Sequence, residues 1–189
     1  MSVTVAKTAG FCFGVRRAVE LAEEQAHEHG SIYAYGEIIH NMHEIERLEK
    51  MGVHTAHTIE EIPDGERVLI RAHGVPRAVY DAFRAKNCEI FDATCPFVHK
   101  IHRIVDEESR AGRLIVILGK EGHPEVEGIR GWCGESVVID GEQAAQTFAD
   151  AFNPADRPVS MVAQTTVNRT IWNISVSILK KRCTNLKIF

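Results

Sequence analysis

A chain of 189 residues, 44% hydrophobic and 25% charged, is long enough to bury a core in one domain or two small ones and too apolar to be disordered. Its formal charge of −4 and pI near 6.2, with no Lys/Arg-rich block, argue against a nucleic-acid or anionic-membrane partner. No apolar run approaches the ~20 residues a membrane span requires. The first residues lack a signal-peptide core, so the expected location is cytoplasmic, and five cysteines, an odd count at wide spacing, suit reduced thiols or metal ligands better than a disulfide framework.

In chain order, residues 3–8 show the β-branched alternation of a short strand. Gly10-Phe-Cys-Phe-Gly14 allows a sharp turn, and Val15, Ala18, Val19, Ala22 and Ala26 then mark one helical face that Gly30 ends. Cys12 therefore lies where a strand turns into a helix, near the positive end of the helix dipole. Residues 31–35 read as a strand, with His40 in the loop behind it. Asn41 with Glu44 has capping-box spacing for a helix that runs to about Met51. The polar stretch ending Pro63-Asp64-Gly65 is a turn. Arg67–Ala72 is a strand, His73-Gly74-Val75-Pro76 leads into a helix over about 77–87, and Glu89–Asp92 is a strand leading to Cys95.

The pattern then restarts. Pro96 suits a first helical turn, and Phe97, Val98, Ile101, Ile104 and Val105 form an apolar face that ends at Gly112. Leu114–Leu118 is the continuous apolar run of a strand covered on both faces. A strand at 137–139, a helix near 141–151, a strand at 158–163 and a helix over about 168–182 follow. Cys12 precedes Gly36 by 24 residues and His40 by 28; Cys95 precedes Gly119 by 24 and His123 by 28. The common offset of 83 residues marks an internal repeat, and strands alternating with helices predict an α/β chain of two similar parallel-sheet lobes, 1–95 and 96–189.

Ligands of open parallel sheets gather at the carboxyl ends of strands. Cys12, His40, His73, Cys95, His123, Glu125, Gln164, Thr165 and Thr166 all fall at such places, which suggests a metal or cluster beside an anionic, phosphate-bearing substrate. Each has an ordinary reading too. Cys88, Cys133 and Cys183 read as small buried hydrophobes. His27, His29, His54, His57, His99 and His102 read as solvated, and His43 as a surface residue. Glu125 alone is a helix-start carboxylate, and Thr165 and Thr166 are potential helix caps. For Cys12 and Cys95 the repeat register outweighs the ordinary reading.

Gly10-Phe-Cys-Phe-Gly-Val15, Arg71-Ala-His-Gly-Val-Pro76, Asp92-Ala-Thr-Cys-Pro96, Gly122-His-Pro-Glu125 and Gln164-Thr-Thr166 together resemble the 4-hydroxy-3-methylbut-2-enyl diphosphate reductases. The resemblance implies a three-lobed pseudo-symmetric fold around a [4Fe–4S] cluster, with Cys12 and Cys95 as two of its ligands. It implies further that His40, His73 and His123 bind the substrate diphosphate, that Glu125 protonates the departing hydroxyl, and that Thr165 hydrogen-bonds that hydroxyl and relays the proton. The reaction so implied is the reductive dehydration of an allylic diphosphate, with electrons from a ferredoxin- or flavodoxin-type donor.

By the same resemblance a third cysteine ligand is expected just beyond Phe189, together with a third lobe, so the chain reads as a fragment from which little turnover is expected. The alternative is a catalytically dead diphosphate-binding fragment that keeps only His40, His73 and His123. Zinc held by Cys12, Cys95 and a histidine is a weaker reading, because no closely spaced ligand pair is present.

Overall fold

The computed structural model describes residues 3, 4, 6, 9–39, 41–153 and 157–189, so the strand expected over 3–8 lies largely outside the described residues. By packing the chain divides into two units. One comprises residues 1–72 and 82–95, the other residues 73–81 and 96–189. The short segment 73–81 thus groups with the second unit, although it sits in sequence inside the first.

In the first unit the elements run α1 (Phe13–His29), β1 (Ile32–Tyr35), α2 (Met42–Lys50), β2 (Val53–Ala56), β3 (Arg67–Ile70), α3 (Arg77–Ala85, its first turn in the second unit) and β4 (Glu89–Asp92). The strands form one parallel sheet in the order β2-β1-β3-β4. Asn41 caps α2 as its spacing predicts, accepting a hydrogen bond from the Glu44 amide at 3.3 Å. Strand β2 is not visible in the sequence: four residues, Val-His-Thr-Ala, pair with β1 alone, and an edge strand needs only Val53 and Ala56 buried. One face of this sheet packs Ile32, Ala34 and Leu69 against Ala18, Ala22 and Ala26 of α1.

The second unit continues with α4 (Pro96–Arg110), β5 (Leu114–Leu118), α5 (Pro124–Arg130), β6 (Ser136–Ile139), α6 (Glu142–Ala151), β7 (Val159–Ala163), α7 (Arg169–Arg182) and β8 (Leu186–Ile188). Its parallel sheet has the order β6-β5-β7-β8, the same topology as the first. The apolar run of β5 follows from burial on both faces. Leu114, Val116 and Leu118 pack with Ala145 of α6 and Leu179 of α7, whereas Ile115 and Ile117 pack with Val105 of α4 and with Val126 and Ile129 of α5. Each such side chain contributes roughly 1.5–3 kcal/mol.

Two expectations for α4 change. Phe97 is not on its buried face but 68% exposed, because the face that meets the sheet starts at Val98 and Val105. His102, expected in water, is 1% exposed and stacks on Trp132 with ring centroids 5.2 Å apart. Position 102 is four residues after Val98, so it falls on the same buried stripe, and a neighbouring indole makes an imidazole acceptable there. At the opposite end of the unit from the strand carboxyl termini, Arg113 forms a buried polar hub. Its guanidinium donates to Ser160 Oγ (2.7 Å), to Asn185 Oδ1 (3.1 Å) and to the carbonyls of Val159 and Asn185, and it pairs with Glu108 at 3.0 Å.

Candidate functional site

In both sheets the strand order reverses between the first and third strands, β1/β3 and β5/β7, so each unit has a crevice outside its strand carboxyl ends, the usual place for ligands in open α/β sheets. Both cysteines singled out in the sequence belong to the first unit. Cys12 is the N-cap of α1 and is exposed; Cys95 follows β4 and is half-buried, its amide donating to Ala72 O at 2.9 Å. Gly14, two residues after Cys12, lies against Cys95: a Cβ there would stand 2.8 Å from the Cys95 Sγ. The glycine is therefore required by a close approach of thiol to helix.

Arg17, one turn further along α1, donates to the carbonyls of Asp92 (3.1 Å) and Thr94 (3.3 Å), and the Asp92 carboxylate accepts from the Thr94 amide at 2.8 Å. These bonds tie the helix that begins after Cys12 to the turn that carries Cys95. Gly14→Ala is expected to destabilise the chain by ~1–3 kcal/mol through overpacking and to slow alkylation of Cys95 relative to Cys12. Residue-resolved mass spectrometry after a short iodoacetamide pulse reads both rates.

Gly36, at the end of β1, has φ +75°, and its missing Cβ makes room for Arg71, whose Nη1 would lie 2.1 Å from one. Burial lowers the Arg71 pKa, opposed by the charges of Tyr35 and Glu37. His40 lies outside the described residues.

The second unit holds the rest of the candidate set. Segment 73–76 docks on the end of α5: Trp132 Nε1 donates to Val75 O at 2.9 Å, the Arg77 amide donates to Gly131 O at 3.3 Å, and a side chain at Gly131 would collide with Pro76. This places the rings of His73 and His123 edge to face, 5.6 Å apart. His123 is the N-cap of α5, and its Nδ1 accepts from the Glu125 amide at 3.1 Å. A neutral His123 so engaged carries its proton on Nε2, which makes that nitrogen a donor.

Glu125 is 2% exposed, and both its oxygens are held by one residue of the β7–α7 turn. The Thr165 amide donates to Oε1 at 2.6 Å and the Thr165 hydroxyl to Oε2 at 2.9 Å. Burial pushes the Glu125 carboxyl above its ordinary value, against the Thr165 hydrogen bonds and the His123 charge, which pull it down. Thr165 is thus no helix cap. Asn168 caps α7 instead, accepting from the Thr170 amide at 2.7 Å.

Within the first unit the structure brings Cys95 to the α1 turn that Cys12 opens, and within the second it groups His73, His123, Glu125 and Thr165. Sequence reasoning gave no role to Arg17 or Trp132, because each acts on a backbone carbonyl far along the chain and leaves no local pattern. Beside Thr165 an open groove of about 730 Å³ is lined by Phe97, Ile101, Ile104, Val167 and Trp172, with Lys100 and Arg169 among its polar groups. Among the described residues no cluster of three or more His, Cys, Asp or Glu side chains forms a metal site, and no helix is long and apolar enough to cross a membrane.

Two open sheets of parallel strands with the same strand order define a duplicated α/β scaffold. The LytB protein family model matches residues 3–189, and the chain belongs to that family. It is 41% identical over 182 residues to the 4-hydroxy-3-methylbut-2-enyl diphosphate reductase of Clostridioides difficile (strain 630), covering 96% of this chain and 63% of that protein. The Caldanaerobacter subterraneus subsp. tengcongensis reductase is 36% identical over 194 residues, with 100% and 66% covered. The chain thus spans about two thirds of the length of the curated relatives it matches.

Among solved structures, the E-1-hydroxy-2-methyl-but-2-enyl-4-diphosphate reductase of Plasmodium falciparum superposes with a TM-score of 0.88 at 28% identity, covering 97% of this chain and 57% of that one. The (E)-4-hydroxy-3-methyl-but-2-enyl diphosphate reductase described as the terminal enzyme of the non-mevalonate pathway gives 0.85 at 36% identity, with 99% and 66% covered. The α/β fold with two four-stranded parallel sheets is that of these structures.

Proposed function

We propose that this chain carries a substantial part of the site for reductive dehydration of 4-hydroxy-3-methylbut-2-enyl diphosphate to isopentenyl and dimethylallyl diphosphates. The observation that carries the reading is the buried Glu125 carboxyl gripped by the amide and hydroxyl of Thr165, on the same unit as the His73–His123 pair. The names of the relatives support it.

Cys12 and Cys95 would hold a [4Fe–4S] cluster. Thiolates are its proper donors, and the Cβ-free surface at Gly14 beside the Cys95 thiol fits that role. Bound there, the cluster supplies electron transfer and an iron Lewis acid. The chain's own residues supply the rest. His40, His73 and His123 donate hydrogen bonds to the diphosphate, which anchors the substrate without stabilising the reacting carbon. Thr165 orients the allylic hydroxyl, and Glu125, kept protonated more readily than an exposed carboxyl, provides its proton. Each turnover breaks one C–O bond, consumes two electrons and two protons and releases water; a ferredoxin- or flavodoxin-type donor supplies the electrons.

Calorimetric titration with the substrate tests the binding half. His73→Ala and His123→Ala are each expected to weaken binding roughly tenfold, the loss of a hydrogen bond to a charged group. Absence of heat with the unaltered chain at ligand on the order of millimolar overturns the reading. Heat without turnover in an anaerobic reductase assay leaves diphosphate binding as the role of this chain.

A further inference from the structure

Strands β5 and β7 run side by side to the pair Leu118 and Ala163, and the Gln164 amide adds one more ladder bond to Leu118 O at 2.8 Å. Beyond that point the strands separate toward two turns: residues 119–123, leading to His123 and Glu125, and residues 164–166, carrying Thr165. The Gln164 side chain, 7% exposed, continues the pairing where the backbone cannot. Its Oε1 accepts from the Lys120 amide at 3.2 Å, and its Nε2 donates to Thr166 Oγ1 at 2.8 Å. The amide is therefore satisfied from both sides, with one partner on each turn.

Gly119 makes the approach possible. A Cβ there would stand 3.1 Å from both Cβ and Oε1 of Gln164, and 2.7 Å from Val126 Cγ2. Val126 directly follows Glu125, so Gly119 is pressed between the residue that latches the Thr165 turn and the helix that carries the acid. In the first unit the position one residue past Ile70, the β3 partner of Tyr35, is Arg71, which lies against Gly36 as Gln164 lies against Gly119, so the close approach recurs but only the second unit fills it with a neutral amide. Its hydrogen bonds belong to the second unit's own site.

We propose that Gln164 is a positioning residue: its side-chain amide locks the two turns so that the Thr165 amide and hydroxyl stay aimed at Glu125. Gln164 carries no charge, and both ends of its side-chain amide are taken up by the two turns. It acts by fixing the direction of two hydrogen bonds that stabilise the Glu125 carboxylate, and hence how readily that acid releases its proton. The proposal rests on the Glu125–Thr165 pair as the proton-donating group, but its test does not need the reaction.

Gln164→Met keeps the volume and removes both hydrogen bonds. With the Thr165 turn freed, the carboxylate loses support and its pKa is expected to rise by about one unit, a tenfold change in proton affinity. Side-chain ¹³C NMR titration of Glu125 reads this directly, with His123, whose ring accepts from the Glu125 amide, followed in the same spectra to correct for its contribution. Gly119→Ala, which crowds Gln164 from the other side, is expected to shift Glu125 in the same direction. It also serves if Gln164→Met does not fold.

Thr165→Val, which removes only the hydroxyl bond, sets the scale. An unshifted Glu125 in folded Gln164→Met and Gly119→Ala overturns the positioning role and leaves the reductase reading untouched. A shifted Glu125 in a chain that does not bind the substrate upholds the latch and removes the reductase reading instead.

Discussion

Glu125→Gln, placed in a form extended to the full length of the relatives, is expected to lower turnover in the anaerobic reductase assay by ~10²–10⁴-fold while leaving the heat of substrate binding unchanged. The amide is nearly isosteric with the carboxyl. It can accept from the Thr165 amide as Oε1 does now, so the turn stays in place and only the transferable proton is lost. The same substitution carries a stability signature of opposite sign. Because burial raises the folded-state pKa of Glu125, the folded chain binds this proton more tightly than the unfolded chain does. Stability from this group is full below the unfolded carboxylate value and falls as pH rises through the folded one. Glu125→Gln removes that fall, so its thermal midpoint should exceed that of the unaltered chain at neutral pH and match it in acid. A variant that is less active and more stable is the mark of an acid retained for chemistry. Unchanged turnover would refute the role of Glu125 as the acid.

Arg113→Met is expected to cost ~3–5 kcal/mol in unfolding free energy, measured by urea denaturation. The guanidinium is buried, and its loss leaves Glu108 with Lys187 and Ser160 only, and leaves two carbonyls and the Asn185 amide oxygen without this donor. The network also predicts a pH response. Burial raises the Glu108 pKa, but hydrogen bonds from Lys187 and Ser160 and the charges of Lys187 and Arg113 outweigh it and hold the carboxyl below its ordinary value. A depressed carboxyl contributes stability that is present above its unfolded pKa and lost as pH falls through the folded value. Glu108→Gln should therefore flatten the acid side of the stability curve while leaving Glu125 to titrate as before. The Arg113 hub sits at the amino ends of β5 and β7, remote from the turns that carry Glu125 and Thr165, so substrate binding by folded Arg113→Met should be unaffected.

Much of this was readable from the chain alone. The offset of 83 residues between Cys12 and Cys95, with the glycine and histidine spacings that accompany it, announced a duplication, and the two sheets share one strand order. The apolar periodicity of α1 and the unbroken run of β5 foretold one-sided and two-sided burial, because side-chain direction along a regular element is a local property. Gly14 and Gly119 were visible as glycines, but their reason was not. One is needed for the Cys95 thiol and the other for Gln164, partners 81 and 45 residues away in sequence.

What escaped the sequence shares that character. His102 is buried because a distant tryptophan stacks on it. Segment 73–81 joins the second unit because Trp132 and Gly131 receive it there. Thr165 serves Glu125 instead of α7 because Asn168 takes the cap. Residue types and their spacing determined by themselves the strand–helix alternation, the repeat and the short list of candidate ligands and acids, since these depend on chemistry within a turn or two of chain. Only tertiary structure decided which of those residues meet, what protonation their surroundings favour and which bystanders hold them in place, because long-range hydrogen bonds and desolvation exist only once distant segments are packed.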